Sequence, residues 1–234
     1  GCIDELKAAG INMADDDDSM DTAGQTEAPP VFTTTTGPVR IITAASLFDG
    51  HDAAINVMRR LIQSSGAEVI HLGHDQSAKA VVDCAVQEDA HAIALTSYQG
   101  GHVEYLTYIR QLLDEAGCAH VRIFAGGGGT ITPPEIRTLH QSGIEKIYSP
   151  DDGRSMGLMG MIHHLMENAC KADLISESRL ASLEGPVTAE DMAKVGLLLT
   201  LSETADDSAF KATLDKCRSS QKEVPVIGFT GTGG

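Results

Sequence analysis

Two carboxylates and an imidazole stand within four positions of one another in the stretch SLFDGHDAA, residues 46–54. In an extended loop, side chains two apart point to the same side. Asp49 can therefore accept the ring N–H of His51, fix its tautomer and leave the other nitrogen free as a base or metal ligand. The same residues also read as a capping box, with Asp49 as N-cap of a helix and Asp52 at its third position. One turn can serve both purposes.

The elements that must position this turn repeat about every 25 residues from Val39 onward. VRIITAA, AEVIHLG, AHAIALTS, HVRIFAG and IEKIYSP read as strands. DAAINVMRRLIQSSG, SAKAVVDCAVQED, HVEYLTYIRQLLDEAG, PPEIRTLHQSG and GRSMGLMGMIHHLMENA read as the helices between and after them. In the first helix Ala54, Ile55, Met58, Leu61 and Ile62 share one face, with Arg59, Arg60 and Gln63 off it. Several strands are continuous apolar runs, as strands buried on both faces are, and the helical crossovers force parallel pairing. The expectation is α/β: a doubly wound, five-stranded parallel sheet of flavodoxin-like order 2-1-3-4-5.

Ligands in such sheets bind outside the carboxyl ends of the strands, where strand order reverses. The loops there read SLFDGHD, SYQGGH, GGGGTIT and SPDDG. Glycines and polar groups thus gather along one edge, and glycine lets a ligand approach the backbone closely. Several such loops suggest one large ligand rather than a small ion.

These residues resemble the cobalamin-binding domain of the base-off, His-on class. That family carries Asp-x-His-x-x-Gly, Ser-x-Leu about forty residues later and Gly-Gly after about 26 to 28 more. Here Asp49-Gly50-His51, Ser97 and, with 28 residues between it and Gln99, Gly128-Gly129 stand in those places, with Ala54 for the glycine and Gln99 for the leucine. More narrowly, TAASLFDGHDAAINVMRR, GAEVIHLGH, SYQGGHVEY and IYSPDDGRSMGLMGMI resemble the fused isobutyryl-CoA mutases. The resemblance implies adenosylcobalamin as cofactor, with His51 as lower cobalt ligand and Asp49 orienting it. It implies that Ser97 bonds the displaced benzimidazole and that Gly128 and Gly129 make room for it. Gly50, Asp52, Tyr98, Gln99, Gly100, Gly101, His102, Thr130, Ser149 and Pro150 complete the expected cofactor-binding set. The implied activity is radical carbon-skeleton rearrangement of an acyl-CoA. The implied partners are an acyl-CoA barrel and a GTPase domain using GTP and Mg in the same parent chain, in a homodimer.

The chain has 234 residues and a formal net charge of -16. That balance argues against nucleic acid, whose binders need clustered Lys and Arg. Five scattered cysteines without a Cys-x-x-Cys pair suit a reducing cytosol. No apolar run approaches the roughly 20 residues of a membrane span, so no membrane partner is expected. Residues 1–38, acidic and rich in Pro and Thr, read as a disordered tail, 39–170 as the cobalamin-binding domain, and 171–222 as a linker with two helices. Residues 223–234 read as a strand opening a P-loop (Gly231, Thr232, Gly233, Gly234) that stops before its lysine. The first residue, Gly rather than Met, and the final GTGG suggest a piece of a longer chain, without turnover by itself.

Other readings compete. A phosphorylation receiver needs an Asp ending the third strand and a Lys after the fifth, where this chain has TSYQGG and YSPDDG. A methylmalonyl-CoA mutase-type cobalamin subunit is an alternative, but free-standing small subunits of acyl-CoA mutases would be expected to stop near residue 170. A methyl-transfer or regulatory cobalamin module would need a helical cap or a DNA-binding element, which residues 1–38 do not supply. His71 and His74, lacking further ligands nearby, read as structural or surface groups, His163 and His164 as solvated, the methionines of the last helix as core filling, and DDDD at 15–18 as a solvated run.

Overall fold

The computed structural model describes residues 32–188, 190–217 and 228. Five parallel strands form the sheet: β1 (Arg40–Ser46), β2 (Glu68–Gln76), β3 (Ala92–Thr96), β4 (Arg122–Gly126) and β5 (Lys146–Tyr148), in the order β2-β1-β3-β4-β5. Strand order reverses between β1 and β3, as the apolar runs and crossover spacing lead one to expect. The crossover helices are α1 (Asp52–Ser64), α2 (Ala78–Gln87), α3 (His102–Glu115) and α4 (Pro133–Gln141), followed by α5 (Pro150–Ala169).

The pleat sorts alternate strand residues into two cores. Ile41, Ala92, Ala94 and Phe124 face α1 and α5, where Ile62, Ile162 and Leu165 meet them. Ile42, Ile93, Leu95 and Ile123 face the other layer, with Val81 of α2, Leu106 and Ile109 of α3 and Leu139 of α4. Two irregularities in the β1–β2 register, between Thr43 and Ala44 and between Ala44 and Ser46, lie just ahead of the Asp49 turn. Bulges of this kind bend a strand and re-aim the loop that leaves it.

Residues 32–38 correct the expected disordered tail. Thr33–Thr34 pairs antiparallel with Gly37–Pro38, and the Thr36 hydroxyl lies 3.3 Å from Nε2 of the buried His91. A polar, Thr-rich sequence is ordered here because a buried imidazole needs partners. The rest of that tail, residues 1–31, lies outside the described residues, as do Gly231, Thr232, Gly233 and Gly234 of the expected P-loop. The expected SPDDG loop is the first turn of α5. Ser149 caps it, accepting from the Asp152 N–H at 3.3 Å, while Asp152 Oδ2 accepts from the Ser149 N–H at 2.8 Å. At Gly157 (φ 66°, ψ 175°) that helix is interrupted, in a region that only glycine enters without strain.

The linker docks. A short helix α6 (Glu177–Ala181), not foreseen, precedes the two expected ones, α7 (Met192–Thr204) and α8 (Asp207–Cys217). Arg179 donates to Asp89 at 2.6 Å, the Thr200 hydroxyl donates to the other Asp89 oxygen at 2.7 Å, and Arg40 donates to Thr200 at 2.7 Å. A Cβ on Gly196 would lie 2.8 Å from the Val86 carbonyl oxygen, so α7 crosses the end of α2 nearly backbone to backbone. This seam lies at the amino-terminal edge of the sheet, where β1 begins at Arg40. No helix among the described residues is long and apolar enough to cross a membrane.

Removing one partner of a buried pair strands the other charge, so Arg179→Ala is expected to cost about 3–5 kcal/mol in urea unfolding. Acid should loosen the same edge. Burial and the neighbouring Arg40 hold His91 down to about 4; burial and Arg179 do the same for His120. As pH falls the unfolded chain, with its ordinary imidazoles, takes up protons first. Stability is therefore complete above about pH 6.5 and drains as pH falls toward 4. His91→Asn, which keeps an acceptor for the Arg40 N–H, should flatten that loss in melting curves recorded across the window.

Candidate functional site

The turn after β1 is built around a fully buried carboxylate. Asp49 Oδ1 accepts the His51 backbone N–H at 2.9 Å and faces His51 Nδ1 at 2.7 Å. Its Oδ2 accepts the backbone N–H of Tyr98 at 2.6 Å, from the loop after β3. One side chain thus fastens the two loops that flank the switch point. The capping-box reading of Asp49 and Asp52 is corrected: α1 starts at Asp52 with His51 as N-cap, and no side chain caps it. Asp49 does not cap because both its oxygens are taken by His51 and Tyr98.

Nδ1 is turned to a buried carboxylate, which can only accept, so Nε2 is the ring nitrogen left to face a ligand. The His51 side chain is 64% exposed, so that nitrogen is open to a ligand. Among the described residues no three His, Cys, Asp or Glu groups gather as a metal site; His71 Nδ1 lies 2.9 Å from the Thr43 hydroxyl.

Beside the turn, a cleft of about 850 Å³ opens between α1 and α5 above β3 and β4. Its walls are mainly apolar: Ile55, Met58 and Leu61 of α1, Ala94 and Phe124 of the sheet, and Leu158 and Met161 of α5. Tyr98 stands at its edge, its ring centroid 5.7 Å from that of His51. Of the other expected residues, Gly128, Ser149 and Pro150 line the cleft.

Ser97 is buried beside the cleft, at the end of β3; its hydroxyl accepts from Ser46 at 2.9 Å and keeps its own O–H to donate. Thr96, one residue earlier and hence on the opposite face, lines the cleft; its hydroxyl is buried and has no hydrogen-bond partner among the described residues. A one-residue offset changes the face. The glycine run is displaced likewise: Gly126, Gly127 and Gly128 line the cleft, whereas Gly129 and Thr130 lie outside it, exposed. A Cβ on Gly127 would sit 2.0 Å from the Ser97 carbonyl oxygen, so this glycine allows the β3 and β4 loops to touch. Gly128, at φ 55°, would bring a Cβ within 3.3 Å of the Tyr98 ring.

Asp52, Gln99, Gly100 and Gly101 sit on the exposed rim without lining the cleft. His102 is turned from it too: buried at the start of α3, its Nδ1 lies 3.3 Å from the Gln99 carbonyl oxygen and its Nε2 3.3 Å from Glu135 of α4. Thr96, Gly126, Gly127 and the Tyr98 backbone N–H are the site groups that sequence reasoning missed. Strand parity could have found Thr96; nothing local could have found the Tyr98 N–H.

An oriented imidazole beside an apolar, glycine-floored cleft fits a metal-bearing macrocycle with an aromatic tail. The family comparison agrees: the B12 binding domain family model matches residues 39–148, and the chain carries a B12-binding domain. The fused isobutyryl-CoA mutase of Geobacillus kaustophilus is 46% identical over 203 residues, covering 84% of this chain. That of Nocardia farcinica is 48% identical over 197 residues, again 84% of this chain. The chain spans 18% of the length of each of these relatives. Among solved structures, a cobalamin-binding protein from Desulfitobacterium hafniense overlays with a TM-score of 0.46 at 19% identity, covering 55% of this chain and 58% of that one.

Gly127→Ala is expected to be the costly glycine substitution, by about 1–3 kcal/mol for forced overpacking, with loss of the Tyr98–Asp49 contact. Gly129→Ala, in open space, should leave the urea midpoint nearly unchanged. Equal midpoints for the two variants would mean that the β3 and β4 loops do not meet as described.

Proposed function

We propose that this domain binds adenosylcobalamin in the base-off, His-on mode, with His51 Nε2 as the lower cobalt ligand. The observation that carries the reading is the buried Asp49 carboxylate 2.7 Å from His51 Nδ1, with the imidazole otherwise exposed. A carboxylate behind a ligating imidazole fixes its tautomer and raises its basicity. A lone imidazole, with no companion ligands among the described residues, suits a cobalt already held by a corrin ring.

The displaced nucleotide tail would enter the cleft between α1 and α5. Gly126, Gly127 and Gly128 would pass beneath it, and the apolar α1 and α5 side chains would shed water around it. Ser97, accepting from Ser46, would keep its own O–H free to donate toward the tail. Bound adenosylcobalamin would supply the radical chemistry for carbon-skeleton rearrangement of an acyl-CoA. The similarity to fused isobutyryl-CoA mutases supports an isobutyryl-CoA type of substrate, held by an acyl-CoA barrel in the parent protein. On this reading the parent, a cytoplasmic homodimer, also carries the GTPase domain that binds GTP and Mg, and the residues of this chain serve to bind and orient the cofactor.

With the protein's histidines labelled with nitrogen-15 and the cobalt reduced to the +2 state, the axial hyperfine pattern in EPR should change from three lines to two. His51→Ala should abolish that change and weaken binding, while Asp49→Ala should weaken it by roughly 10- to 100-fold. A three-line pattern in the labelled wild-type protein would leave the benzimidazole on the cobalt and overturn the reading.

A further inference from the structure

Phe48 sits where neither the turn nor the core asks for it. The Asp49 N–H donates to the Ser46 carbonyl at 3.0 Å, closing a four-residue turn with Phe48 at its third position. There Phe48 takes φ 64°, the left-handed region that such turns normally fill with Gly or Asn. The Phe48 N–H donates to Asp75 Oδ1 at 2.7 Å. Asp75 is itself left-handed at φ 57°, and its N–H donates to the Asp49 carbonyl at 3.3 Å. Two strained residues, one in the turn after β1 and one at the end of β2, thus brace each other. The ring gains nothing from this in the protein itself, for Phe48 is 78% exposed. Leu47 beside it is also exposed, and Gly50 and His51 continue the same rim.

A strained conformation at a site rim points toward function when the surroundings hold it in place. A large aromatic held rigidly loses little freedom when something covers it, and its burial is worth much. We infer that Phe48 forms part of the floor under the corrin macrocycle, packing its ring against the apolar ring atoms and methyl groups of the lower face next to the His51 axis. This rests on the cobalamin reading above. It adds a hydrophobic contact with the macrocycle, distinct from the axial bond and from the tail cleft. The macrocycle is favoured over a protein surface because the braced ring shares its loop with the exposed imidazole of His51.

Phe48→Gly separates the fold from the ligand, since glycine adopts the turn without strain. The variant is expected to melt at or above the wild-type temperature. In absorbance titrations it should bind cobinamide, which lacks the nucleotide tail, and complete cobalamin each about tenfold more weakly, while Phe48→Tyr should bind both nearly as the wild type does. Unchanged affinity for both ligands would overturn the contact, even if the full-length parent lost activity, because the ring would then meet another protein surface. A loss confined to complete cobalamin would overturn it as well, and so would a melting temperature well below wild type. The nitrogen-15 measurement keeps the two claims apart. A His51-ligated cobalt with unchanged Phe48→Gly affinity defeats the Phe48 contact alone; an unligated His51 defeats the reading on which it rests.

Discussion

One carboxylate holds the site together. Asp49 is fully buried and is surrounded by N–H groups from His51 and Tyr98. A buried acceptor is costly unless its lone pairs are filled, and here filling them joins the loop after β1 to the loop after β3. The same contacts give His51 its tautomer and direction. Orientation of the imidazole and closure of the switch point are therefore a single event, and neither loop is positioned independently of the other.

Close backbone approach does the remaining shaping. Where the β3 and β4 loops meet, Gly127 has no side chain to keep the Ser97 carbonyl away. Its φ of −162° is ordinary extended backbone, so the demand for glycine there is steric rather than conformational. The cleft beside it exists because small residues, Ala94, Gly126 and Gly128, floor the space between α1 and α5, and because α5 is interrupted at Gly157. Thr96, Ser149 and Arg154 add a few polar groups to its mainly apolar lining. Pockets that bind cofactors combine apolar walls with few polar groups in this way.

The opposite edge of the sheet carries a second polar seam. Asp89 gathers Arg179 and Thr200, and through Thr200 also Arg40, so the C-terminal helices are fixed to the domain by charge and packing together. Leu183, Leu197, Leu201 and Cys217 form their own small core. The ligand edge and the docking edge thus lie at opposite ends of the same strands, β1 contributing Arg40 to one and Ser46 to the other.

Much of this was legible in the chain itself. Apolar runs of strand length, separated by amphipathic helices, dictate a parallel sheet, because a short connection cannot return a strand in the same direction. Asp49 and His51 were legible as a pair because two-residue spacing acts locally. What the sequence left open were choices made between distant segments. The partner of Asp49 is a backbone N–H, which every residue but proline has, so no residue type could mark Tyr98. Thr96 and Ser97 differ by one position but face opposite sides of the sheet, and only the pairing of β3 with β1 and β4 fixed which residue lines the cleft. In the run Gly126–Gly129 all four residues look alike in sequence; the approach of the Ser97 carbonyl selects Gly127. The docking of Arg179 on Asp89 joins residues 90 positions apart, a match of buried charge that becomes visible only when the chain has folded back on itself.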